Sequence, residues 1–313
     1  MKKYKFILFG GNRLKENAPM NFLIDFLKKK KINFLIVSDS GHLEKPVSKS
    51  ETFGAYLKRE KIPFLSYKKL KFKDVKKFTQ RGAIGLSTNS IWKFSPDIIK
   101  FFNGNLFNYH SADLPKERGA GCITWRILLN KEKSNNLNIH KIDETFDTGG
   151  VVFKIKNKKN FKNPRPIDIY KHQVKLESSF LLSFIKKLLN KKNKFNIERQ
   201  NNNNSYYWPK LNADVDGKIN WDWDAKDIAS FIRGFSHPFN GAFSYIGKHK
   251  VKIFNSSCHK SKIRFHPFQN GLIFRVDEKN IYVAAKSYII KIPINEIVSD
   301  INKNEFFIGK RFK

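Results

Sequence analysis

Asn108 and His110 stand two residues apart at the end of a short apolar run, and Asp147 stands just before Thr148-Gly149-Gly150. Side chains alternate along a strand with period two, so positions 108 and 110 point to the same side and can face one substrate. A histidine with a carboxylate in reach is a general-base arrangement, because the carboxylate fixes the tautomer and stabilises the imidazolium that forms. An asparagine amide can donate to a carbonyl oxygen as that oxygen takes on charge. Together the three describe transfer of an activated carbonyl group to an amine by direct attack, with no Ser or Cys set in a nucleophile elbow to suggest a covalent intermediate. Asn, His and Asp near loops also serve as caps and turn formers, so spacing alone leaves a structural role open.

The elements that must position these residues read as a βαβ rhythm. Residues 4–9, 32–37, 62–67, 83–86 and 106–109 form short apolar runs, and residues 19–29, 53–60 and 96–102 have helical patterning between them. The expected result is an α/β domain, a doubly wound, mostly parallel, Rossmann-like sheet with helices on both faces and ligands at the carboxyl ends of its strands. The segment 111–121 is too rich in Pro and Gly for a regular element, so it should wrap the site as a loop before a helix at 124–129. A helix over 168–189 carries Leu176, Phe180, Phe184 and Leu188 on one stripe. Residues 191–205, with Asn201 to Asn204 inside them, have too little apolar content for a core and read as a polar linker. Beyond it a helix at 225–235, with Asp224 as N-cap, and five short β-like runs between 243 and 292 predict a smaller β-barrel-like, OB-like domain. The expected organisation is a catalytic domain over 1–190, a linker over 191–205 and a β-rich domain over 206–313.

The formal charge of +34 on 313 residues invites a nucleic-acid reading. The excess is mostly Lys, however, with Arg, the planar fork suited to phosphates, roughly a fifth of the basic residues. The chain is also rich in Asn, Ile and Phe, as an AT-biased coding sequence would favour, so the charge reads mainly as solvated faces, with an anionic partner as the alternative. The two cysteines, Cys122 and Cys258, are too few for a disulfide scaffold and fit a reducing, cytoplasmic compartment. No stretch approaches the ~20 apolar residues of a membrane span, and no membrane partner is expected. Cys258, His259 and His266 are ligand types without a fixed motif, so no metal is expected. Trp221 and Trp223 read as packing residues, and Gly10-Gly11 lacks the rest of a dinucleotide fingerprint.

Asn108-Tyr109-His110-Ser111 with Leu114-Pro115 and Arg118-Gly119, then Asp143-Glu144 and Asp147-Thr148-Gly149, resembles the core motif of the formyltransferase family that uses 10-formyltetrahydrofolate. A second match, Asp216-Gly217-Lys218-Ile219-Asn220-Trp221 with Ile232-Arg233-Gly234 and Pro238 to Phe243, resembles the C-terminal domain of the enzymes of that family acting on tRNA and on sugars. The resemblance implies that Asn108, His110 and Asp147 are the catalytic trio and that the donor is 10-formyltetrahydrofolate, used as a cosubstrate. It further implies that the pterin lies along Ser90, Ile91 and Trp92 and along the loop from His140 through Asp143 to Asp147. Two departures bear on the acceptor. Gly10-Gly11-Asn12-Arg13 replaces the signature that tRNA formyltransferases carry after their first strand, and the short Ser40-Gly41-His42-Leu43-Glu44-Lys45 stands where they have an inserted loop. These favour the primary amine of a nucleotide-linked amino sugar. Methionyl-tRNA is the rival within the same chemistry, and a nucleic-acid-binding module on an inactive scaffold is the rival from another class. A homodimer is a compatible assembly.

Overall fold

The computed structural model describes residues 3–11, 19–130, 136–157, 159–190, 195–286, 288–301, 306 and 308–313. Asn12, Arg13 and the first residues of the expected linker, 191–194, lie outside them. The chain forms two compact units, one made of residues 1–119, 135–158 and 172–207, the other of 120–134, 159–171 and 208–313. The chain therefore passes between the units several times, where the sequence suggested one passage near residue 190.

The first unit is built on a seven-stranded sheet. Its parallel part comprises β1 (Tyr4–Gly10), β2 (Phe34–Ser38), β3 (Phe64–Ser66), β4 (Thr79–Thr88) and β5 (Leu106–His110), in the order β3-β2-β1-β4-β5. Both faces of the sheet are covered, which is why β1 and β2 are apolar almost throughout instead of alternating. Phe6, Leu8, Phe34 and Ile36 pack on one face with Leu23, Leu27, Phe53, Phe180 and Phe184 from helices. Ile7, Phe9, Leu35 and Val37 pack on the other with Val75, Phe78, Ile98 and Phe102. Each of these side chains contributes roughly 1.5–3 kcal/mol through burial. The doubly wound arrangement expected from the sequence is therefore present.

β4 begins at Thr79, four residues earlier than its apolar run suggests. The early part pairs Tyr4 with Thr79, and the register then shifts before Phe6 meets Ile84, with Gly82 at φ 72°. Such a bulge carries polar residues in a strand, and periodicity cannot see it.

Past β5 the sheet changes direction. Leu137–Lys141 runs antiparallel to β5 and pairs Asn108 with His140 and His110 with Asn138. Val151–Ile155 then runs antiparallel to Leu137–Lys141 and completes the sheet.

The second unit holds the helix Ala225–Gly234, with Asp224 at its N-cap position, and two antiparallel sheets of three and four strands. The five expected β-runs all lie in these sheets, and Ser257–Lys260 and Ile297–Ser299 add two short strands too small to show periodicity. Among the described strands the pairing gives these two sheets, with no ladder closing them into a ring. Trp221 stacks on Phe312 at 5.1 Å and donates from Nε1 to Ser244 Oγ at 2.9 Å, a packing role. His266 caps a short 3-10 turn, Pro267–Gln269, and His259 is hydrogen-bonded to Ser257. Among the described residues no helix is long and apolar enough to cross a membrane.

Candidate active site

Asn108 and His110 lie on β5 with their side chains on one face, and the cross-strand pairing sets His140 opposite Asn108. The turn after Leu137–Lys141 folds back to the same place, so that Asp147 joins them. Asp147 adopts φ 57°, a left-handed conformation that Asp and Asn tolerate better than other side chains with a Cβ. At Gly149 a Cβ would lie 1.9 Å from Lys141 O, so only glycine allows this close return.

The carboxylate of Asp147 is the hub. Oδ2 accepts from Gly119 N at 2.8 Å and lies 3.6 Å from His110 Nδ1. Oδ1 accepts from Asn108 Nδ2 at 3.2 Å and lies 3.2 Å from His140 Nε2. Burial alone would raise its pKa, yet the charge of His110, the hydrogen bond and charge of His140 and the Gly119 N–H outweigh it and hold the carboxyl well below the usual carboxylate range. Asp147 is therefore ionised throughout the neutral range.

His110 is buried between two acceptors. Its Nε2 donates to Glu117 O at 2.6 Å, and its Nδ1 faces Asp147. A proton gained by this ring is stabilised from both sides. The Nδ1 of His140 donates to Lys141 O at 2.7 Å, and its Nε2 lies 3.1 Å from Asn108 Nδ2. The Asn108 amide gives one hydrogen to Asp147 Oδ1, and its second hydrogen is the one an oxyanion can take.

The turn is held from behind by a part of the chain that reads as a polar linker. Gln200 Nε2 donates to Asp147 O at 2.8 Å and to Gly149 O at 2.7 Å. Its Oε1 accepts from the buried Arg118 at 3.1 and 2.9 Å, and Asn202 Oδ1 accepts from the same guanidinium at 3.0 Å. Glu198 makes an antiparallel bridge with Val151. Sequence reasoning missed this clamp, because a glutamine in a run of polar residues carries no signal of its partner.

The remaining sequence-nominated residues fall as follows. Ser87 of β4 pairs with Asn108, and Ser90, Ile91 and Trp92 come one residue after the end of β4, beside β5. Ser90 Oγ is hydrogen-bonded to Ser87 Oγ at 2.8 Å, and Ile91 is 57% exposed. Trp92 is buried, and its indole N–H has no hydrogen-bond partner among the described residues. Asp143 accepts from Thr145 N and Thr148 Oγ1 and so braces the turn. Beside Asp147, the exposed rings of Phe146 and Tyr207 lie 6.5 Å apart.

An ionised carboxylate, an imidazole and an amide thus converge on one face of the doubly wound sheet, an arrangement chemically able to accept a proton and to donate to a developing oxyanion. Residues 213–307 match the family described as "Formyl transferase, C-terminal domain". Over 210 residues the chain is 30% identical to the bifunctional polymyxin resistance protein ArnA of Wigglesworthia glossinidia brevipalpis, covering 62% of this chain and 29% of that protein. It is also 30% identical over 195 residues to the methionyl-tRNA formyltransferase of Alkaliphilus oremlandii, covering 62% of this chain and 60% of the relative. The chain thus spans under two thirds of the length of either relative. Its fold resembles the N-formyltransferase from Helicobacter canadensis solved with folinic acid and dTDP-3-aminofucose, at TM-score 0.68 and 20% identity, covering 93% of this chain and 99% of that one. Residues 213–307 thus carry the C-terminal domain of formyl transferases, and the chain as a whole is similar to formyltransferases in sequence and fold.

Proposed function

We propose that the protein transfers a formyl group from 10-formyltetrahydrofolate to the primary amine of a nucleotide-linked amino sugar. The observation that carries the reading is the Asp147 carboxylate, bound at once to Asn108, His140 and the Gly119 N–H and facing His110. The neutral amine attacks the formyl carbon, and the carbonyl electrons move onto oxygen, where Asn108 Nδ2 supplies the donor. The amine gives up a proton to His110, whose cationic form Asp147 and Glu117 O stabilise. When the intermediate collapses, the bond to the folate nitrogen breaks and that nitrogen takes a proton. The exposed Ile91 and the unpartnered indole N–H of Trp92 suit a flat, polar-edged pterin along 90–92.

For the acceptor, two features favour a nucleotide sugar over methionyl-tRNA. The full-length fold likeness is to a protein whose solved complex contains dTDP-3-aminofucose, and the segments after β1 and β2 depart from the tRNA-enzyme signatures. The Phe146 and Tyr207 rings beside Asp147 offer a surface on which a base can stack. The identity with methionyl-tRNA formyltransferases keeps tRNA as the second reading. The test incubates the protein with 10-formyltetrahydrofolate and a panel of nucleotide amino sugars, alongside methionyl-tRNA, and reads the mass gain of one formyl group. Formylation of methionyl-tRNA with the sugars unmodified refutes the preferred acceptor. Salt-sensitive tRNA binding without turnover on any acceptor would instead support the inactive-scaffold alternative.

A further inference from the structure

Asp39, His42 and Asn89 form a polar chain that the transfer chemistry above does not use. His42 is 4% exposed and Asp39 7%. His42 Nδ1 is hydrogen-bonded to Asp39 Oδ2, and its Nε2 lies 2.9 Å from Asn89 Nδ2. The second carboxylate oxygen accepts from His42 N at 3.1 Å, as the N-cap of the short helix Ser40–Leu43. The carboxylate takes the Nδ1 hydrogen, which leaves Nε2 to accept from the Asn89 amide. The donor sense therefore runs from Asn89 through the ring to Asp39.

Three strand ends meet at this ring. Asp39 directly follows β2, Asn89 directly follows β4, and Gly11 directly follows β1. A Cβ on Gly11 would lie 2.7 Å from His42 Cβ, so the imidazole is packed against the end of β1. β1 lies between β2 and β4, where the strand order reverses, and open α/β sheets bind ligands in that crevice. Asn89 sits at φ 61°, in the left-handed region. The segment Ser90 to Trp92 thus leaves β4 through a backbone conformation of limited stability, and the hydrogen bond to a buried ring holds it there. A fully connected buried network of this kind rigidifies what it touches.

We propose that Asp39, His42 and Asn89 are a positioning relay that sets Ser90, Ile91 and Trp92 for the pterin of the formyl donor, an inference that rests on the donor reading above. His42 and Asn89 are positioning residues and do not touch the reacting atoms.

Three variants test it. Asn89→Gly keeps the left-handed backbone and removes the amide. His42→Asn keeps a polar atom toward Asp39 and loses the link to Asn89, whereas His42→Gln keeps the reach toward Asn89. The readouts are KM for donor, kcat, KM for acceptor, the Kd of folinic acid as a non-reacting probe, and thermal unfolding. Asn89→Gly and His42→Asn should raise the donor KM and the folinic acid Kd by about three- to tenfold, the scale of one lost hydrogen bond, with kcat and acceptor KM little changed. His42→Gln should restore values close to wild type. The two His42 variants carry the comparison by themselves if Asn89→Gly does not fold. Lowered unfolding temperature with unchanged donor KM and Kd in all variants overturns the relay and leaves the donor reading intact. Failure of the wild-type protein to bind folinic acid overturns the donor reading and the relay with it.

Discussion

Replacing Asp147 with Asn isolates the charge at the centre of the site. The backbone there stands at φ 57°, and Asn is the replacement that tolerates this region best, so the turn should persist. What changes is the pattern of acceptors. If the new carbonyl faces Gly119 N, the new amide hydrogens confront Asn108 Nδ2; if it faces Asn108, they confront the Gly119 N–H. Either way a donor meets a donor. The lost charge has a separate cost. His110 Nδ1 lies 3.6 Å from Oδ2, and the two side chains are 9% and 11% exposed. With an effective dielectric of about 20, a unit pair at that distance is worth about 4 to 5 kcal/mol, and this is the stabilisation the imidazolium would lose. The expected effect is about a thousandfold fall in turnover, inside the ~10²–10⁴ range of positioned acid-base catalysis. The assay is kcat at saturating donor and acceptor, with folinic acid binding measured separately and expected to change far less. Thermal unfolding establishes that the variant is folded. Turnover within about threefold of wild type would remove Asp147 from the mechanism.

Other expectations probe how the site is held. Gln200→Ala releases the turn carbonyls of Asp147 and Gly149 and should cost about 1–3 kcal/mol in urea unfolding, with turnover lowered but not abolished. Gly149→Ala places a Cβ against the Lys141 backbone, which cannot yield, so the turn must open, and both activity and unfolding temperature should fall. Tyr109→Phe removes the hydroxyl that donates to the buried Glu177 at 2.6 Å; unfolding should shift by about 1–3 kcal/mol, with kcat per folded molecule unchanged. Because the folded carboxyl of Asp147 is held below its unfolded value, its contribution is complete above the ordinary Asp range and lost as pH falls through the folded pKa. The part of the stability gap between wild type and Asp147→Asn that comes from this carboxyl, measured by urea midpoints, should therefore shrink as pH falls below about pH 4.

The parallel part of the sheet was legible because strands covered on both faces are apolar throughout. β1 and β2 announce themselves, as do the helices Pro19–Lys29 and Pro96–Phe102, whose bounds agree with those read from the sequence. β4 was legible only from residue 83, since its bulged start is polar. In the site, the spacing of Asn108 and His110 follows from strand period alone, and the closeness of Asp147 depended on a motif. Gln200 and the His42–Asn89 link were invisible for one shared reason. Their partners lie 51 to 53 and 47 residues away in sequence, and hydrogen bonds over such separations leave no local pattern.

The change of strand direction after β5 explains why Asp147 needs such exacting backbone. Leu137–Lys141 descends from His110 toward Phe107, so the turn that follows it begins at the far end of β5 from His110. Ile142 N donates to Leu106 O at 2.9 Å, which fixes that starting point. The carboxylate can meet Asn108 and His110 only if the turn climbs back along the sheet within a few residues. Asp143 braces its entry, the left-handed Asp147 reverses it, and Gly149 lets it return against Lys141 O. Gln200 then closes the turn by taking the two carbonyls, of Asp147 and Gly149, that the reversal leaves facing outward from the sheet ladder. The motif residues Asp143, Asp147 and Gly149 are thus three conditions on one fold-back, and of them Asp147 brings its side chain to Asn108 and His110.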